Sequence, residues 1–233
     1  MKTFRVIAGR EMRLALRNRS VLISALIFAV WFPVMSALGI AAAAGEDTTA
    51  VAGGIAAITL PVGVFMGYLF CADAFLREKR DGTIETLLCT PVSLRRLWEG
   101  KAVGVAVPAY LMTLASAAVT IAAVYTLSSA PIAGEPLLIL HLAVVVPVWI
   151  AAAAGLIGAA QLALGMRENQ ILGFVFIFGF IFLIVVLQGV APGGGGLSVT
   201  TEGIFAAAGL ALLALARFIA GKVTKERIVR TIP

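Results

Sequence analysis

Charge is scarce in this sequence. Of its 233 residues only 13% are Asp, Glu, Lys or Arg, and just 12 are acidic. A soluble domain carries about 25% charged residues. A water-facing surface cannot be built from so few, so a soluble enzyme, a secreted scaffold and a DNA-binding domain are excluded. Cysteine is almost absent: Cys71 and Cys89 are the only two, too few for a disulfide framework. There is one histidine, His141, and it reads as a packing residue with a polar tip. No HExxH, no Ser–His–Asp arrangement and no metal-ligand spacing occur. The phosphate-binding loop GxxxxGK[ST] is missing too. Gly100-Lys101 and Gly221-Lys222 lack both the upstream glycine and the following hydroxyl.

What is there is apolar. Hydrophobic residues make up 61% of the chain and the mean hydropathy is +1.05. Six long segments carry this excess, roughly Ser20–Ala44, Ala50–Phe75, Ala102–Leu127, Leu137–Gly165, Ile171–Val190 and Gly203–Gly221. A helix needs about 20 apolar residues to cross the hydrocarbon layer, whereas a barrel strand needs about 9–11 with strict alternation. The reading is an all-α integral membrane fold of six transmembrane helices. Pro33, Pro61, Pro108 and Pro147 fall inside the segments, where membrane helices tolerate a kink. No carboxylate lies near the middle of a segment; Asp73 is close to an end. A proton- or sodium-coupled carrier needs ionisable groups at mid-depth, so that class is disfavoured.

The distribution of charge orients the chain. All 18 basic residues lie before the first segment, in the second and fourth connections, or at the C-terminal end. The other connections carry Glu46, Asp47, Glu135 and Glu202 instead. By the positive-inside rule both termini face the cytoplasm. The net charge of +6 therefore addresses lipid head groups and not nucleic acid. The basic stretch before the first segment is too long for a signal peptide. Both cysteines fall on the reducing side and read as small apolar fillers.

The chain thus reads as one membrane domain, 1–233, with a six-helix bundle over 20–221. Residues 1–19 form an amphipathic interface helix. Lys2, Arg10, Arg13 and Arg17 share one face, with Phe4, Ala8, Met12 and Ala15 opposite. Such a helix rests on anionic head groups, touches a cytoplasmic partner, or both. Residues 222–233 form a basic tail. Residues 76–101 form the longest polar stretch. Asp81-Gly82 signals a turn and Thr83 a helix cap, after which Ile84, Leu87 and Leu88 form an apolar stripe with Glu85 beside it. Thr90-Pro91 ends that helix. Ser93 caps a second, in which Leu94, Leu97 and Trp98 repeat the stripe. Gly63 and Gly67, and Gly155 with Ala151 and Ala159, give small-residue faces for close packing within one subunit. Phe174, Phe176, Phe178, Phe180 and Phe182 point all round their helix, and Gly193–Gly196 form a mobile outer loop.

The run Glu78 to Ser93 closely resembles a signature of type-2 ABC transporter permeases. The matching residues are Glu78, Gly82, Thr83, Glu85, Leu87, Leu88, Thr90, Pro91 and Ser93, followed by Gly100-Lys101. The six-span layout and the basic N-terminal helix are similar as well. The resemblance implies a permease subunit of an ABC exporter in a prokaryotic plasma membrane. It implies a coupling helix between spans two and three that docks on a separate ATPase, and a second permease copy or paralogue. ATP and Mg would be bound by the partner, with no cofactor and no metal in this chain. A haem-exporter-like permease of cytochrome c maturation and a non-transporting membrane assembly factor are the alternative readings.

Overall fold

The computed structural model describes residues 2–45, 47–82, 93–128, 135–191, 196–224 and 228. Among them all regular structure is helical. Helix α1 spans Lys2–Arg17, α2 Arg19–Ala44, α3 Thr48–Arg80 and α4 Leu94–Ser128. Helix α5 runs over Pro136–Ala163, α6 over Met166–Val190 and α7 over Val199–Lys222. Helices α2 to α7 contain six stretches long and apolar enough to cross a membrane. They coincide with the six apolar segments, but four outgrow them: α6 starts at Met166 and α7 at Val199, and the other two extend into the polar stretch between spans two and three. Helix α3 continues past Phe75 to Arg80, and α4 starts at Leu94, ahead of Ala102. The pairs Asp73–Arg77 and Arg95–Glu99, four residues apart on their helices, support these polar extensions.

Local signals explain the breaks. Asn18 leaves helical geometry and its side chain accepts from the Val21 amide at 3.4 Å, which separates α1 from α2. Asp47 caps α3, accepting from the Thr49 hydroxyl at 2.7 Å and from the Thr49 and Ala50 amides. Pro33, Pro61 and Pro108 sit inside continuous helices. Pro147 in α5 follows directly on a π turn over His141–Val145. A proline ring crowds the carbonyl four residues back, and the wider turn makes room for it.

Helices α3, α4 and α5 pack against one another in the middle of the bundle, and α5 also packs against α7. Lipid is as apolar as leucine, so small residues and van der Waals fit hold such helices together. A Cβ built on Gly63 would lie 3.2 Å from Ile150 and 3.3 Å from Thr113. At Gly67 the nearest atom is the Ile150 carbonyl oxygen, at 3.5 Å. Gly155 lies against Trp98 and Ala216, and Gly158 against Phe75. Buried Cys71 reaches the Ala154 carbonyl from α3, whereas Cys89 lies outside the described residues. Helices α2 and α6 leave one side uncovered, with Ile27, Trp31 and Leu38 exposed on α2. The alternating phenylalanines of α6 occupy opposite sides of the helix, as their spacing implies. Phe174, Phe178 and Phe182 share one exposed stripe, while Phe180 is buried and meets the Trp149 ring edge-on. Of the glycine-rich connection only Gly196 is described.

Candidate functional site

The polar side chains gather at one end of the bundle, where α1, the end of α3 and the start of α4 meet. Helix α1 is seated directly on the backbone of α4 at two glycines. A Cβ on Gly104 would sit 2.9 Å from the Ala8 carbonyl oxygen, and one on Gly100 would sit 2.8 Å from Ile7. The apolar face of α1 is turned toward this seat. That face is taken up by protein: Glu11 and Ala15 are buried, and Phe4, Ile7 and Ala8 are half-buried. What α1 turns outward includes Arg5, Val6, Arg10, Arg13 and Arg17.

Lys101 stands at the centre of this junction and is fully buried. Its ammonium has three donors and no acceptor. Three oxygens surround it: Glu78 Oε1 at 2.9 Å, the Ala74 carbonyl at 3.1 Å and Glu11 Oε1 at 3.2 Å. The Phe75 ring lies 5.3 Å from the nitrogen and adds a cation–π contact. Glu78 is also 3.9 Å from the exposed Arg10. Oε2 of Glu11 is buried and has no hydrogen-bond partner among the described residues. Three helices therefore converge on one cation. An uncompensated buried charge is costly, so removing any member would leave the others exposed to that cost.

A second charge cluster flanks it. Glu99 receives Arg95 from its own helix at 3.3 Å and Arg217 from α7 at 2.9 Å. Both arginines are more than half exposed, so solvent screens the pairs and they contribute little. Glu99 and Arg217 edge a cleft of about 290 Å³ lined by Phe4, Trp98, Ala102, Val103, Ala151 and Leu213.

The residues expected from the sequence fall in different places. Gly82 ends α3 in a left-handed conformation, φ +66°, which a side chain rarely adopts. Thr83, Ile84, Glu85, Leu87, Leu88, Thr90 and Pro91 lie outside the described residues. Ser93 begins the described chain again, and Leu97 and Trp98 are buried near the start of α4. Arg10 reaches toward Glu78, Arg13 donates to the Gly9 carbonyl of its own helix, and Arg17 is exposed at the helix end. Gly63 and Gly67 are packed in the bundle away from this junction, whereas Gly155 accepts a 3.0 Å hydrogen bond from Trp98. Sequence reading missed Glu11 and treated Lys101 as a solvated loop charge. Glu11 had a signal: it is the one carboxylate on α1, and it falls on the apolar side.

At the opposite end a second buried pair appears. His141 Nδ1 lies 2.9 Å from Glu202 Oε2, both residues being nearly inaccessible. Glu202, expected in an outer connection, is instead folded into the first turn of α7. Its carboxylate suits a helix N-terminus, and the π turn of α5 supplies its partner.

A family model described as ABC-2 family transporter protein matches residues 5–201. A search of curated proteins found no match.

Proposed function

The chain belongs to the ABC-2 transporter family, as a multi-pass membrane permease, and from that premise we propose that it is the pathway-forming subunit of an ATP-driven exporter whose ATPase is a separate chain. One observation carries the reading. Helices α3 and α4 run unbroken from the polar junction across the bundle, and the segment 83–92 joins their ends. A push on that segment is thereby delivered to two full-length membrane helices. The sequence has no phosphate-binding loop of its own, so the nucleotide and its Mg would sit on the partner.

In this reading the basic end faces the cytoplasm of a prokaryotic cell, both termini lie there, and the acidic connections face out. Glu85, Leu87 and Leu88 form the docking surface, held by Gly82, Thr83, Ile84, Thr90 and Pro91. The uncovered side of α2 or α6 faces lipid or a second permease copy. The substrate leaves the cell along the interface between the two copies.

Co-purification with an ATPase, followed by hydrolysis that requires both chains, tests the assignment. Hydrolysis by the isolated chain would refute it. A Glu85→Lys variant separates a protein surface from a lipid surface at 83–92. Against an acceptor groove on the ATPase it weakens assembly, by about 1–3 kcal/mol for a desolvated contact. Against anionic head groups it strengthens attachment.

A further inference from the structure

We propose that Lys101 is a positioning residue that clasps α1, α3 and α4 into one lever at the base of the segment 83–92. The transport consequence rests on the permease reading above; the geometry does not.

The glycines bring the helices within reach of the clasp. At Gly100 and Gly104 helix α4 presents bare backbone, on which Ile7, Ala8 and the Cβ of Glu11 of α1 are seated. Such a seat permits close approach but supplies no polar contact of its own to α1. Lys101 lies between these two glycines. It reaches Glu11 on α1, and Glu78 and Ala74 on α3. Glu78 stands four residues before Gly82, where α3 ends. Lys101 stands eight residues after Ser93, where the described chain resumes. The clasp therefore closes both feet of the segment and ties them to the N-terminal helix.

Stability alone does not explain a buried lysine here. Replacing a buried ion network by apolar residues of similar volume is often neutral or stabilising. What apolar packing lacks is direction. An ammonium held by three oxygens fixes the relative position of three helices, since a slip between them stretches an ion pair in a low dielectric. Met fills the volume of Lys or Glu without that constraint.

Lys101→Met alone leaves two buried carboxylates and is expected to misfold. The informative variants are Glu11→Met, which frees α1 but keeps the Lys101–Glu78 pair, and Glu11→Met/Glu78→Met/Lys101→Met, which replaces the three buried charges by apolar side chains. Spin labels at Arg13→Cys and Arg96→Cys, both exposed, report the α1–α4 distance in the full chain in nanodiscs, with Cys89→Ser throughout. The expected result is a thermal midpoint equal to or above wild type in the triple variant, with a distance distribution roughly twice as wide in both variants. A distribution as narrow as wild type in Glu11→Met overturns the clasp, whether or not the triple variant folds.

The second arm uses the complex with its ATPase and a cysteine at Ser128. Trapping with ATP and vanadate is expected to change its labelling by an impermeant maleimide. In Glu11→Met hydrolysis persists but this response falls severalfold. A response equal to wild type overturns the lever. If the wild-type chain recruits no ATPase, the permease reading fails while the spin-label result still stands.

Discussion

The indole N–H of Trp98, near the start of α4, donates to the Gly155 carbonyl of α5 at 3.0 Å. The polar junction is thereby stitched to α5. Gly155 makes the contact possible, since a Cβ there would meet Trp98 and Ala216 at 3.1 Å. Trp98→Phe keeps most of the ring and removes the donor. The expected loss is about 1 kcal/mol, against about 3–5 kcal/mol for Trp98→Ala, which also opens a cavity. Thermal unfolding in detergent checks the order of the two.

Glycine substitutions divide by position. A Cβ at Gly158 would meet Phe75 at 2.7 Å and one at Gly209 would meet Trp149 at 2.8 Å, whereas Gly179 and Gly203 have nothing within 4 Å. Gly158→Ala and Gly209→Ala are expected to cost about 1–3 kcal/mol through overpacking. Gly179→Ala and Gly203→Ala are expected to be neutral or to add about 0.5–1 kcal/mol. Equal effects at all four positions would contradict the packing described.

His141→Leu leaves Glu202 buried without its partner. The expected cost is about 1–3 kcal/mol. The double variant His141→Leu/Glu202→Leu removes both polar groups and is expected to recover most of that loss. A double variant less stable than the single one would show that Glu202 has another role.

Asp47 gives a pH dependence with a definite sign. The Thr49 hydroxyl, then the Ala50 and Thr49 amides, hold its carboxyl below the usual 3.8. A depressed carboxyl stabilises the fold above its unfolded pKa and loses that contribution as pH falls through the folded value. The thermal advantage of wild type over Asp47→Ala is therefore constant near neutrality. It shrinks only as the pH drops through and below 3.8. Scans across that range check it; an advantage that grows on acidification would reverse the assignment.

The topology is tested at Ser128, the last residue of α4. A cysteine there is expected to react with an impermeant reagent added outside intact cells. Labelling only from the cytoplasmic side would invert the orientation.

The sequence alone determined the six helices, their ends to within a turn or two, and the end of the bundle that gathers positive charge. Those features follow from runs of apolar residues and from where charges interrupt them, which is local information. Gly82 likewise acts on its nearest neighbours, so the turn after α3 was legible; the caps at Asn18 and Asp47 are equally local but were not read. Only the tertiary structure decided which polar residues leave solvent. Lys101 reads as a loop charge until α1 and α3 bring Glu11 and Glu78 to it, from residues far apart in the chain. Glu202 reads as an outer-loop acid until the π turn of α5 presents His141. A charge is buried only where a partner waits, and pairing across helices depends on packing that no stretch of sequence contains.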